Sequence, residues 1–263
     1  MEKVTRRQVI GSVGLVLGAG LVGGAVAGGV RPAFAKTEGS AQEVPWPYRE
    51  LDPETVAERG YQGYYKKHCM YGVFSAVVGE LADRFGAPYK NFPMDMMEYG
   101  AGGVAGWATL CGALNGAAAA IYLLSPTPKP VIDELFSWYT VTELPEYRPK
   151  NAKFDIATSV AGSPLCHVSV GRWCEASGFS SFSKQRSERC AWLTANVAKK
   201  TVELLNAQVQ GKFTPVHPIP KEIQECRGCH GKGGEVENTR GKMSCTQCHQ
   251  QEPEDHPVPF KKT

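Results

Sequence analysis

The sequence predicts an all-α fold in which a helical-bundle body precedes an irregular C-terminal tail. The first observation is a stripe of small and aliphatic residues, at steps of three and four, between Ala191 and Val209. The second is that hardly any stretch alternates with the period of two that half-buried strands require. The third is the placing of glycine and proline, which separate the helical segments and recur through the tail.

The N-terminal part of the body predicts a helix that is broken early. An N-cap and first-turn pair at Asp52-Pro53 begins a short helix. Gly60 and Gly63 interrupt it, and a longer helix follows over about 64–85.

Four more helices complete the predicted body. A glycine-rich entry leads into a helix of small residues that continues through Leu124, and a short helix follows over 131–139. Ser163 and Pro164 offer another N-cap and first-turn pair for the next helix. The clearest helix carries the stripe and ends before Gly211.

The tail contains the motif Cys-x-x-Cys-His twice. This motif attaches c-type haem: two thioether bonds form to the porphyrin, and the adjacent imidazole becomes an axial iron ligand. A tandem pair could instead build a Cys₄His₂ zinc module. The attachment residues are Cys226, Cys229 and His230 in the first motif, and Cys245, Cys248 and His249 in the second.

The beginning of the chain favours haem over zinc because it resembles an export signal. Arg6 and Arg7 form a twin-arginine pair, and the 22 uncharged residues 9–30 that follow include eight glycines. Such a segment is a poor membrane helix, so cleavage before Lys36 is favoured over a retained anchor. We therefore expect a periplasmic protein with no stable membrane insertion after cleavage.

Three segments follow from these signals: an export signal over 1–35, a helical body over 36–212 and a di-haem tail over 213–263. Removal of the signal takes the formal charge from +3 to zero, so no basic surplus suggests nucleic-acid binding. The tail has few large aliphatic residues and cannot bury enough apolar surface to fold alone. Two haems per chain would supply its core.

Each haem iron needs a sixth ligand, and four further histidines are available. His217 precedes the first motif and His256 follows the second, each in a His-Pro context that is also typical of a solvated turn. His68 and His167 are the alternatives. Ligation by two histidines gives a low reduction potential compared with methionine ligation.

Five cysteines lie outside the haem motifs: Cys69, Cys111, Cys166, Cys174 and Cys190. Thiolates that converge from several helices suit an iron–sulfur cluster, whereas disulfides or inert packing are the alternatives. Cys166 and Cys190 are predicted at helix starts, where unsatisfied N–H groups favour the thiolate.

Four segments around these cysteines resemble a redox-active family named for its Cys, Gly-Cys-Ala-x-x-Gly, Cys, Cys pattern: "CMYGVFSAVVGEL", "GWATLCGALNGAAAAIYLL", "CHVSV" and "RCAWLTANVAKKTVELL". Leu110 replaces the glycine of the family's Gly-Cys pair. With the two haem motifs, the chain resembles the split-Soret cytochromes c across essentially its whole mature length.

This resemblance implies a periplasmic homodimer that transfers electrons through two c-type haems and an iron–sulfur centre per subunit. It favours a 2Fe-2S over a 4Fe-4S cluster, held by four of the body cysteines. Cys69, Cys111, Cys166 and Cys190 fit the family spacing, so Cys174 is the least secure candidate.

Three functions remain open at this point. An electron carrier with an unidentified redox partner protein is favoured over a haem-dependent small-molecule reductase, because spare histidines saturate the irons. A third hypothesis is a thiol-redox or sensor protein that uses Cys166 and Cys174 as a reversible pair. Haems on so short a tail leave apolar surface, which predicts a homodimer whose stacked porphyrins split the Soret band.

Overall fold

The computed structural model describes residues 43–249, and these confirm the predicted all-α class. The helices are α1 (Pro53–Phe85), α2 (Gly112–Leu124), α3 (Pro128–Val141), α4 (Cys166–Ser177), α5 (Lys184–Val209) and α6 (Lys221–His230). Two 3₁₀ helices, Tyr89–Asn91 and Met94–Gly100, lie between α1 and α2. The two short strands β1 (Glu143–Leu144) and β2 (Ser159–Val160) pair antiparallel.

Helix α1 is a hairpin of two helical arms. Its backbone leaves the helical region at Lys67 and at His68, whose φ is 65°. The two arms then lie side by side, since Arg59 on the first arm pairs with Glu80 (2.9 Å) and Asp83 (2.8 Å) on the second. The chain therefore reverses direction just before Cys69.

The predicted interruption at Gly60 and Gly63 is wrong, because both glycines are helical and mark a close approach of backbones. A Cβ atom on Gly63 would lie 2.9 Å from the Cα atom of Gly72 on the other arm. One on Gly72 would lie 2.6 Å from Thr194 of α5. The missing side chains let the two arms and α5 pack in direct contact.

The core lies where α1, α2 and α5 meet. The predicted stripe on α5 is buried from Ala191 to Leu205, whereas Val209, at its end, is 52% exposed. Helix α2 carries small residues into the same core, with Ala113, Leu114 and Ala117 fully buried. Small residues on the central helices allow the close packing that places the helix ends near one another.

The ends of several helices differ from the prediction. Helix α3 is longer at both ends than 131–139, and α4 begins at Cys166 with Leu165 as its N-cap, two residues beyond Ser163. Helix α5 begins at Lys184, where the side chain of Ser183 accepts a hydrogen bond from Arg186. Its start therefore lies well before Cys190.

Residues 213–249 of the tail lie against the body and contribute little to its core. Ile223 is their one buried hydrophobic side chain, and Phe213 packs at the margin of the main core. Polar contacts dominate the remainder, including Lys242 with Asp133 of α3 and Gln247 with the carbonyl of Gly162. The predicted export signal and His256 lie outside the described residues.

None of the helices in 43–249 is long and apolar enough to span a membrane.

Candidate metal centre and haem-attachment sites

Four body cysteines are held at or near the starts of four different helical segments. Cys69 follows the turn of the α1 hairpin, and Cys111 is the N-cap of α2. Cys166 is the first residue of α4. Cys190 lies in the second turn of α5, so its predicted position at a helix start is wrong.

Backbone hydrogen bonds fasten two of these cysteines together. Leu110 and Leu165 form an isolated antiparallel bridge. Beside it, Cys111 N donates to the carbonyl of Pro164 (2.8 Å), and Cys166 N donates to the carbonyl of Thr109 (2.6 Å). This bridge aligns the starts of α2 and α4, whose first cysteines lie side by side.

Gly112 leaves room for the thiol of Cys69. A Cβ atom at position 112 would fall inside van der Waals contact with Cys69 Sγ and 2.5 Å from the carbonyl oxygen of Gly100. Any side chain here would displace the Cys69 thiol, so the glycine preserves the space that this thiol occupies.

The pKa values of these thiols report their mutual proximity. Burial raises the pKa of Cys69, and the neighbouring thiols of Cys111, Cys190 and Cys166 raise it further. Burial and then Cys111 and Cys190 raise the pKa of Cys166 to about 12. The predicted thiolate at the start of α4 is therefore not favoured, because burial and like neighbours outweigh the helix N-terminus.

A buried cation lies beside three of the four thiols, those of Cys111, Cys166 and Cys190. Arg189 is 1% exposed and donates to the hydroxyl of Ser169 (2.8 Å), which also contacts Tyr139 Oη (2.8 Å). Its Nε has no hydrogen-bond partner. Burial opposes its charge, yet Cys190, Tyr139 and Cys111 hold the pKa of Arg189 above its ordinary value. A buried guanidinium of this kind needs negative charge nearby.

The remaining candidates are Cys174, His167 and His68. Cys174 is eight residues beyond Cys166 on α4, hence about 12 Å along the helix. A disulfide between them is excluded, because its two Cα atoms must lie within about 7 Å. His167 is exposed on the same helix, and His68 forms the hairpin turn, with its ring 5.9 Å from that of Tyr64.

No three His, Cys, Asp or Glu side chains within 43–249 gather around a single-ion position.

The first haem motif lies on α6, at the end that faces the loop after it. His230 Nδ1 is 2.9 Å from Asn238 Oδ1, a contact that orients the imidazole ring. The carbonyl of His230 accepts a hydrogen bond from Thr239 N (2.9 Å), and that of Cys229 accepts one from Val236 N (3.0 Å). The loop therefore fixes the end of the helix that carries the ligand.

The second motif forms a single helical turn beside the first. His249 N donates to the carbonyl of Cys245 (2.9 Å), as does Cys248 N (3.2 Å). Burial and then the adjacent Cys226 raise the pKa of Cys245. One cysteine of each motif thus lies next to one of the other.

A cleft of about 730 Å³ separates this part of the tail from the body. Phe136 and Thr140 of α3 lie on its body side, and Ile223, Met243 and His249 lie on its tail side. Its volume lies within the range of about 300–1,000 Å³ of small-molecule and cofactor pockets.

His217 contacts the body rather than solvent alone. Its Nδ1 lies 2.6 Å from Oε1 of Glu134, whose side chain is 1% exposed. Sequence analysis missed Glu134, although its position gave a signal: it lies on the same helical face as Val131, Leu135 and Trp138, all buried. An acidic residue on an apolar face predicts a buried polar contact.

Three comparisons place these sites among known proteins. The sequence profile described as "Putative redox-active protein (C_GCAxxG_C_C)" matches residues 71–204. Split-Soret cytochrome c of Desulfovibrio desulfuricans is 40% identical over 247 residues, which cover 90% of this chain and 88% of the relative.

The structural likeness agrees with the sequence likeness. The solved structure described as "A novel iron centre in the split-Soret cytochrome c from Desulfovibrio desulfuricans" matches with a TM-score of 0.74 and 40% identity. The match covers 78% of this chain and 90% of that chain.

Proposed function

This chain belongs to the split-Soret cytochrome c family and is an electron-transfer cytochrome, and we propose that it carries two c-type haems and an iron–sulfur cluster per subunit in the periplasm. The observation that carries this proposal is the pairing of two Cys-x-x-Cys-His motifs whose Cys226 and Cys245 lie next to each other, with four buried or half-buried cysteines at a separate point of the body.

The tail residues would hold the haems as follows. Cys226 and Cys229 attach one porphyrin, and His230 presents Nε2 to its iron while Asn238 fixes the ring. Cys245, Cys248 and His249 do the same for the second, which fits the cleft that His249 lines. Bound haem supplies a one-electron change at iron without a change of coordination.

The four body thiols would hold an iron–sulfur cluster. A cluster differs from a single ion because its irons and inorganic sulfides occupy the space between the thiolates, so the sulfur atoms need not meet at one point. Arg189 would offset the negative charge of such a group, and Gly112 keeps that space open. We propose that Cys69, Cys111, Cys166 and Cys190 are the ligands of a 2Fe-2S cluster.

The presence of a further histidine that can serve as a sixth iron ligand favours an electron carrier over a reductase. His217 is already oriented by a buried carboxylate, so its Nε2 is available as a sixth ligand to a haem iron. Iron that holds two histidines has no open position for a substrate. A thiol-redox function through Cys166 and Cys174 loses its support, because the two lie too far apart on α4.

Iron, haem and acid-labile sulfide, measured on the same purified sample, test the cofactors. We expect two haems per chain, more iron than haem, and sulfide. Iron equal to haem with no sulfide would remove the cluster, and a large high-spin haem fraction would favour the reductase. Replacing Cys190 by serine should abolish sulfide and leave both haems, whereas Cys174→Ser, its matched control on α4, should leave sulfide unchanged.

We further propose a homodimer whose interface includes the tail, and an unidentified redox partner protein. Residues 213–249 bury one hydrophobic side chain, which is too little to cover two porphyrins. Two-fold association would cover that surface and bring haems together. Sedimentation and absorption spectra of the haem-loaded protein test this: a monomer with an unsplit Soret band at micromolar concentration would overturn it.

The proposed periplasmic location rests on the twin arginines at 6 and 7. Replacing both with lysine should leave the precursor in the cytoplasm without haem, because attachment of c-type haem follows export. Mature haem-bearing protein from that variant would contradict this route.

A further inference from the structure

Glu134 of α3 is a buried carboxylate on a face that otherwise packs into the core. Its side chain is 1% exposed, and Val131 and Leu135 on the same face are fully buried. Burying a carboxylate is costly unless hydrogen-bond donors surround it, so the groups that contact it should explain why it is there.

The hydrogen bonds that Glu134 accepts come from one short piece of the tail. Oε2 accepts from the backbone N–H groups of Val216 and His217, at 2.9 Å each. Oε1 lies 2.6 Å from Nδ1 of His217. The two backbone hydrogen bonds fix the position of the imidazole, and the contact with Nδ1 fixes its rotation.

This arrangement divides the work of the two ring nitrogens. Because Nδ1 is engaged by Glu134, Nε2 is the nitrogen that His217 can offer to a metal. Carboxylates that hold histidine ligands in this way set the tautomer and raise the basicity of the coordinating nitrogen. The residue that orients His217 belongs to the folded body, whereas His230 contacts Asn238 in the loop of its own tail.

We propose that Glu134 is a positioning residue for haem: it presents His217 Nε2 as the sixth ligand of one haem iron and strengthens its bond to that iron. This inference rests on the proposed function, since it requires attached haem. It assigns α3 of the body a direct influence on one of the two haems.

The test uses full-length, haem-loaded protein with Glu134→Gln and His217→Ala. Loss of an outer carboxylate partner typically weakens metal ligation about 10- to 100-fold. Imidazole or carbon monoxide should therefore bind one haem of Glu134→Gln about 10- to 100-fold more tightly than in the unaltered protein, with the other haem unchanged. The midpoint potential of the affected haem should rise, because a neutral amide lends the imidazole less charge.

Glu58→Gln is the matched control. Glu58 also braces a loop, since it accepts hydrogen bonds from Tyr147 Oη (2.5 Å) and Lys150 N (2.8 Å), but it contacts no histidine. Its replacement should change neither ligand binding nor potential. In a His217→Ala background, Glu134→Gln should have no further effect on the haem, because the two residues act through one bond.

The outcomes separate this inference from the function on which it rests. Absence of covalent haem from the unaltered protein would overturn the function. The proposed function would survive but the role of Glu134 would be overturned by a second outcome. In that outcome two haems are attached, and their ligand affinity and potential are the same in Glu134→Gln, His217→Ala and Glu58→Gln. Faster proteolysis of the tail with unchanged haem spectra would likewise reduce Glu134 to a structural anchor.

Discussion

The body and the tail of this protein arrange reactive side chains in opposite ways. In the body, four cysteines from distant parts of the sequence lie on four helical segments that buried hydrophobic clusters hold in place. In the tail, each motif is local, and the described residues 213–249 bury only Ile223 among their hydrophobic side chains. A site in the body is thus a product of packing, whereas a site in the tail is a product of sequence spacing.

This difference indicates which region should depend on its cofactor for folding. The body buries enough apolar surface to fold with or without a metal group at its cysteines. The tail attaches to it through exposed or half-buried polar contacts, of which the Glu134–His217 pair is the most buried. Loss of haem should therefore disorder the tail and leave the fold of the body intact.

The largest difference between body and tail is expected when all four haem-attachment cysteines are removed. Replacing Cys226, Cys229, Cys245 and Cys248 with serine should abolish covalent haem and expose 213–263 to protease. The helical content of the body should persist, because its core does not include these residues. Limited proteolysis with circular dichroism measures both, and cooperative loss of the whole protein would show that body and tail share one core.

A methyl group at Gly112 should damage the body site and spare the haems. The added methyl group of Gly112→Ala forces Cys69 Sγ and the Gly100 carbonyl to move away from it. We expect the free energy of unfolding to fall by about 1–3 kcal/mol. Sulfide should fall with haem unchanged. Gly171→Ala is the control, since nothing lies within 4 Å of its added Cβ; equal sulfide in both variants would mean that the thiols do not meet a cluster there.

Acid should weaken the body through Glu188, which is fully buried. Burial opposes its charge, yet hydrogen bonds from Tyr65, Lys153 N, Trp192 and Tyr61 hold the pKa of Glu188 below its usual value. A lowered folded-state pKa stabilises above the unfolded pKa of about 4.3, and this stability is lost as pH falls through the folded value.

Glu188→Gln should therefore cost about 1–3 kcal/mol at pH 7, and the difference from the unaltered protein should shrink below about pH 4. Urea unfolding followed by circular dichroism at several pH values measures it. Glu175→Gln, an exposed carboxylate on α4, serves as the control, and a difference that stays constant with pH would contradict the assignment.

The smallest effect is expected at the exposed contact between tail and body. Lys242 lies 2.7 Å from Asp133, with both side chains nearly half exposed, so Lys242→Ala should cost less than about 1 kcal/mol and the loss should fade with salt. Protease sensitivity of the tail at low and high salt measures this, with Lys232→Ala as control. A large, salt-independent loss would mean that the tail is anchored at this point.

The sequence predicted best what depends on local pattern. The stripe from Ala191 to Leu205 lies where periodicity placed it, and the small-residue helix ends at Leu124, as the glycine-rich entry and the following proline predicted. Gly60 and Gly63 misled because a glycine that breaks a helix and one that lets two helices touch look alike in sequence. The actual turn, at Lys67 and His68, has no turn residue to announce it.

The sequence predicts which cysteines are candidates for the site, but not the residues that surround them. The cysteines were found by type and by resemblance, but their environment came from partners far along the chain. Arg189 is a charged residue whose partners Ser169 and Tyr139 lie on other helices, so its burial becomes known only once the neighbouring helices are placed. Interactions over such sequence separations leave no local pattern to detect.

The wide spacing of the four body cysteines has a consequence for synthesis. They are distributed from residue 69 to residue 190, so a nascent chain displays the full set only after the first two turns of α5 have left the ribosome. A partial chain, or one whose α1 hairpin has not closed, offers at most an incomplete set. A cluster built on all four would therefore be inserted into a finished body, and its presence would mark a subunit that is ready to leave the cytoplasm.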